Sequence, residues 1–256
     1  MFNLIKKFAY IAMLSIALTT QASEENTMIK NIVLVHGAFV DGSSYRSIIE
    51  PLQTKGYQVT SVQNPLTSLE DDVSAVEQVL NRQKGDVVLV GHSWAGMVIS
   101  QAGQHEKVKK LVYLSAIVPN TQENAAMALE RHQALNESLQ PDEQGMIWLP
   151  NIETYQAVMA NDLPLKEVAL LFATQPPISA KAFSQKINEP AWKTKPSYYL
   201  LTEQDNALPF KVQQSFANMI KAQTKSVAAS HLSLISQPQV TVELIEQAAK
   251  SKSEKE

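Results

Sequence analysis

The chain has 256 residues, 45% of them hydrophobic, enough to bury a sizeable core in one domain that carries an insertion. A net charge of -3 and a pI near 6.0 leave no basic surface, which argues against nucleic acid as a partner. There is no cysteine, so disulfides and a cysteine-linked lipid anchor are excluded, and no metal-like histidine spacing occurs.

Met1 to Lys7 carries two lysines, Phe8 to Leu18 is mostly apolar, and Thr20-Gln21-Ala22 supplies small residues where a signal peptidase reads. Residues 1–22 are therefore expected to be a secretory signal peptide, and the mature protein to be periplasmic or secreted without a stable membrane anchor. The apolar run is too short to span a bilayer comfortably, so uncleaved anchoring is the lesser alternative.

Asn31-Ile32-Val33-Leu34-Val35 reads as a buried strand running into His36-Gly37-Ala38-Phe39, with a polar turn and then a helix that ends at Gly56. Tyr57 to Val62 is a second strand, broken by Asn64-Pro65. Ser68 caps a helix with Val73, Val76 and Leu80 on one face, closed by Lys84-Gly85.

Val87-Val88-Leu89-Val90 is a further buried strand, followed by Gly91-His92-Ser93-Trp94-Ala95-Gly96 and by helical periodicity from Met97. A strand, a sharp turn and a helix in that order lift a serine hydroxyl above the sheet, beside N–H groups of the helix start. Ser93 is the candidate nucleophile, and the ordinary alternative is a serine cap after a strand. In the usual G-x-S-x-G form the fifth position is glycine; here it is Ala95, one methyl larger, with Gly96 next. The Ala38 and Trp94 N–H groups are assigned as the donors to a tetrahedral oxyanion.

Val108 to Leu114 is another strand, and the alternation of strands with amphipathic helices predicts a parallel sheet covered on both faces. From Pro119 to Pro190 β-branched runs give way to helical stretches at Glu123 to Leu139, Glu153 to Ala160 and Pro164 to Ala173, the pattern of an inserted helical cap. Met127, Met146, Trp148, Met159 and Phe172 could line an apolar chamber there, although such residues at helical spacing more often serve packing. The expected organisation is core at 23–118, cap at 119–190 and core again at 191–256.

Pro196 to Thr202 resumes strand character, and Glu203-Gln204-Asp205-Asn206 follows at its C-terminal end, where parallel sheets carry functional loops. A carboxylate there would hold a histidine in the tautomer that leaves Nε2 free to take the serine proton; Asp205 is preferred and Glu203 is the fallback. After a helix from Pro209 to about Ala222 and a strand near Lys225 to Ala228 comes Ser230-His231-Leu232, and Pro238 opens the last helix. His231 is the candidate base. His36 and His92 lie too near the oxyanion site in sequence to serve, and His105 and His132 sit in polar settings.

The order Ser93, Asp205, His231 is that of α/β-hydrolases. On Val33 to Phe39, Val88 to Gly96 and Ser230 to Pro238, the chain resembles bacterial α/β-hydrolases of the group related to plant methyl esterases and hydroxynitrile lyases. The resemblance spans about residues 31 to 250 and is weakest in the cap. It implies a cofactor-free Ser-His-Asp enzyme acting on a small-molecule ester or lactone, with Ser93, His231 and Asp205 as the triad. Hydroxynitrile lyases of this kind carry a lysine after the histidine and a threonine at the position of Gly37. This chain has Leu232 and Gly37, which favours an esterase. Ser93 stands where epoxide hydrolases and haloalkane dehalogenases carry aspartate. Lactonase or perhydrolase activity would need the same triad. Hydrolase-like hormone receptors illustrate a non-catalytic alternative, in which the fold binds ligand without turnover.

Overall fold

The computed structural model describes residues 28–134 and 139–251, and the expected signal peptide lies outside the described residues. The strands are β1 (Asn31–Val35), β2 (Gln58–Val62), β3 (Val87–His92), β4 (Val108–Leu114), β5 (Met146–Ile147), β6 (Ile178–Ser179), β7 (Ser197–Thr202) and β8 (Gln223–Val227). Six of them form one sheet in the order β2-β1-β3-β4-β7-β8, and every pairing in it is parallel.

Every residue of β1, β3 and β7 is buried, so both faces of the sheet centre are covered, as their continuous apolar sequences require. Each fully buried valine or leucine in these strands contributes about 1.5–3 kcal/mol by leaving water. The outer strands β2 and β8 read Gln-Val-Thr-Ser-Val and Gln-Thr-Lys-Ser-Val and are half-exposed, with polar side chains where the sheet meets solvent.

Between the first four strands run α1 (Arg46–Thr54), α2 (Leu69–Arg82) and α3 (Ala95–Ala102). The α2 helix starts as its sequence predicts: Ser68 Oγ accepts the Asp71 N–H at 3.1 Å, and Glu70, Asp71 and Asp72 crowd the positive end of the helix dipole. The α3 helix begins at Ala95, two residues before the apolar periodicity does.

From β1 the chain crosses to β2 on one side, then returns to place β3 on the other. The loops leaving β1 and β3 therefore diverge at the carboxyl edge of the sheet, the crevice in which doubly wound sheets hold ligands. That reversal is why His36 to Phe39 and His92 to Trp94, more than fifty positions apart in sequence, meet.

Between β4 and β7 lie α4 (Ala125–Glu130), α5 (Ile152–Met159), α6 (Leu165–Ala173) and α7 (Ala180–Ser184). Two details differ from the sequence expectation. The first helix stops at Glu130 instead of running to Leu139, because Gln133 turns left-handed (φ 53°) and the Ala134 N–H closes back on the Leu129 carbonyl. The second is a short antiparallel pair, Met146 with Ser179 and Ile147 with Ile178, two residues per strand and thus too brief to leave a period in the sequence. The chain ends in α8 (Phe210–Met219), α9 (Ser233–Ser236) and α10 (Pro238–Lys250), the last opening at Pro238 as its sequence predicts.

Candidate active site

Ser93 occupies the turn between β3 and α3 with φ of 55°, a left-handed backbone that a non-glycine residue adopts only where its surroundings enforce it. Its neighbours explain the enforcement. The Ser93 N–H donates to the Leu114 carbonyl at 3.0 Å, and its carbonyl accepts the Gly96 and Ile117 N–H groups at 3.0 and 3.1 Å. A β-carbon on Gly91 would lie 2.8 Å from the Ala95 carbonyl oxygen, and one on Gly96 would lie 2.1 Å from that of Ile117. The tight approach thus falls on Gly91 and Gly96, and Ala95 fits, fully buried, without disturbing the turn.

His231 is buried, and its Nδ1–H donates to Asp205 Oδ2 at 2.7 Å. The same oxygen accepts from Thr202 Oγ1 at 2.8 Å and Gln213 Nε2 at 3.0 Å, while Oδ1 accepts the Ala207 and Leu208 N–H groups at 2.8 Å each. A carboxylate met by this many donors is held in one orientation, and its bond to Nδ1 fixes the histidine tautomer in which Nε2 is the acceptor. Glu203, the fallback acid, is exposed and stands apart from this cluster. Behind the base, His92 Nε2–H donates to the His231 carbonyl at 2.9 Å, with the two rings 4.7 Å apart.

The loop after β1 is held just as closely. His36 Nδ1–H donates to the Gly37 carbonyl at 2.9 Å, and its Nε2 accepts the Asn64 N–H at 2.9 Å. Asn64 Nδ2 returns a bond to the His36 carbonyl, and the buried Tyr155 hydroxyl, from α5, donates to the carbonyl of Phe39, itself left-handed at φ 61°. Burial holds the pKa of His36 below its ordinary value and that of His92 well below, so both rings are neutral scaffolding. Within this frame neither the Ala38 nor the Trp94 main-chain N–H has a hydrogen-bond partner among the described residues, so both remain available to a ligand.

Ser93, His231, Ala38 and Trp94 border one cavity of about 70 Å³, walled by Phe39, Ile117, Val158, Met159, Phe183 and Leu208 among others. His231 carries the only ionisable side chain on its wall among the described residues. Of the five apolar residues singled out from the insertion, Met159 reaches the cavity. Met127 and Trp148 are exposed, Met146 sits in β5, and Phe172 packs edge-on against Tyr155 at 6.1 Å. A larger recess of about 520 Å³, between α2 and residues 185–188, contains none of the site residues.

Sequence reasoning missed Asn64, Tyr155, Thr202 and Gln213. A glutamine inside an amphipathic helix, or an asparagine before proline, carries no local sign that it will meet a loop elsewhere in the fold.

The family model described as "Alpha/beta hydrolase family" matches residues 32–244. Among curated relatives, the alpha/beta hydrolase nvfD of Aspergillus novofumigatus is 27% identical over 241 residues, 85% of this chain and 96% of that protein. The putative chloroplastic methylesterase 11 of Arabidopsis thaliana is 24% identical over 250 residues, 86% of this chain and 64% of the relative. Among solved structures, the pyrethroid hydrolase PytH superposes with a TM-score of 0.71 at 25% identity, over 88% of this chain and 99% of that one.

Proposed function

Because the chain belongs to the alpha/beta hydrolase family, we propose that it is a serine esterase acting on small, uncharged carboxylic esters through an acyl-enzyme. The observation that carries this reading is the buried 2.7 Å bond from His231 to Asp205, with His231 and Ser93 on the same cavity wall as two unpaired main-chain N–H groups.

In this reading Ser93 Oγ attacks the ester carbonyl while His231 Nε2 takes its proton, and the Ala38 and Trp94 N–H groups receive the negative oxygen. The imidazolium, steadied by Asp205, returns the proton to the departing alkoxide. Water then attacks the acyl-Ser93 carbonyl with His231 again as base, releasing the acid and restoring the serine. An apolar wall with no lysine or arginine among its described residues suits an apolar acyl group better than a carboxylate-bearing one.

An ester rather than a cyanohydrin is favoured as substrate by Leu232 after the base and by Gly37, where a β-carbon would meet Ser93 Cβ at 2.8 Å. The hydrophobic segment at the N-terminus, with small residues at Thr20-Gln21-Ala22, supports export as the place of action. The test is an organophosphonate reaction located on Ser93 by mass spectrometry, together with multiple turnover of p-nitrophenyl acetate. Labelling without turnover would favour a ligand-binding role, and the absence of both labelling and turnover would overturn the reading as a whole.

A further inference from the structure

Asp72 lies in the first turn of α2, has no exposed surface, and is not among the groups that perform the chemistry just described. Its Oδ1 accepts the Leu66 N–H at 2.7 Å, and its Oδ2 accepts the indole Nε1–H of Trp94, also at 2.7 Å. Capping of α2 does not need it, since Ser68 takes the Asp71 N–H and Asp71 answers to Ser68 and Thr67. Burying a carboxylate is unfavourable unless good donors meet it. Here both oxygens are met, and one of the donors belongs to the residue that follows the nucleophile.

The Trp94 ring is buried, packs on Phe183 at 5.3 Å and borders the Ser93 cavity. Its main chain is tied to α3 through the Met97 N–H, 3.0 Å from the Trp94 carbonyl. The residue is thus gripped at the far edge of its indole and at its own carbonyl, and its main-chain N–H, on the same α-carbon, has no hydrogen-bond partner among the described residues. An oxyanion donor is effective in proportion to how little it must reorganise when charge develops.

Resting on the esterase reading, we propose that Asp72 is a positioning residue: by holding the Trp94 indole it fixes the direction of the Trp94 main-chain N–H toward the oxyanion formed at Ser93.

The test compares Asp72→Asn, Asp72→Ala, Trp94→Phe and the Asp72→Ala/Trp94→Phe double variant in kcat, KM and thermal midpoint on p-nitrophenyl butyrate. Each single change is expected to lower kcat by about 10- to 100-fold with KM within about threefold, because the lost alignment matters to the transition state and little to substrate binding. The double variant is expected to lose no more than the worse single, since both changes cut one link. The chain has three tryptophans, so three indole N–H resonances report the link directly, and Trp94→Phe identifies one of them. That resonance should move upfield in Asp72→Asn while those of Trp148 and Trp192 stay, a readout that needs no activity and serves even if Asp72→Ala fails to fold. Asp72 variants that lower only the thermal midpoint, losses that multiply in the double variant, or an unmoved Trp94 resonance would overturn the proposal. A parent protein without ester turnover would instead overturn the esterase reading, leaving the resonance to judge the Asp72 link alone.

Discussion

A β-carbon on Gly37 would lie 2.8 Å from the β-carbon of Ser93 and 2.9 Å from the His92 carbonyl oxygen. The obstacle is backbone and a first side-chain atom, neither of which can swing aside. Gly37→Ala should therefore push the β1 loop away from the serine turn, destabilising the fold by about 1–3 kcal/mol and lowering kcat by more than the stability loss explains. Urea denaturation and initial rates on the same preparation would check this; a fully active, equally stable alanine variant would contradict the packing described.

The left-handed backbone of Ser93 separates stability from activity at that position. Ser93→Ala should reduce kcat by roughly 10^4 to 10^6 while folding normally. Ser93→Gly should be equally inactive yet more stable than Ser93→Ala by about 1 kcal/mol, because glycine adopts positive φ without strain. Denaturant midpoints of the two variants, measured side by side, decide the sign.

Asp205 and Glu203 should part company sharply. Asp205→Asn keeps the shape but turns an amide toward donors and no longer supports an imidazolium, so kcat should fall by about 10^4, with some loss of stability from donors left unpaired. Glu203→Gln, on an exposed side chain, should leave kcat within about twofold. Comparable losses at both positions would undo the assignment of the acid.

Stability should depend on pH through buried groups of opposite effect. His36 and His92 resist protonation in the fold and accept it near 6.5 once unfolded, so their contribution is present above 6.5 and is lost on acidification below it. Burial raises Asp72 from 3.8 to about 6, so its contribution is present below 3.8 and is lost as pH rises through 6. Between those limits the two histidines release protons on folding while Asp72 takes one up, so the histidines make stability rise with pH and Asp72 opposes that rise. Asp72→Asn should therefore steepen the rise of stability with pH, read from urea midpoints at pH 4 to 6; an unchanged slope would place the Asp72 ionisation outside this range.

Much of this architecture was legible before any coordinates. Apolar runs such as Asn31–Val35 and Val108–Leu114 marked their strands to the residue, and Ser68 and Pro238 marked two helix starts, because buried strands and helix entries are governed by residues within a few positions of one another. The first insertion helix was misjudged because Gln133 gives no glycine to announce its left-handed stop. The apparent irregularity at Ala95 disappeared once Gly96, one position on, proved to be where the chains nearly touch.

The amino-acid order by itself determined where the strands of the main sheet and the helices between its first four strands form, that a serine crowns a tight strand-to-helix turn, and that an aspartate and a histidine follow it at strand ends. Only the folded sheet decided that Asp205 rather than Glu203 faces the imidazole, that Asn64 clasps His36, and that a carboxylate from α2 reaches the tryptophan beside the serine. The physical reason is range: local pattern reports forces between near neighbours along the chain, whereas these contacts join segments brought side by side by the strand order β2-β1-β3-β4-β7-β8, which exists only when all six strands have paired.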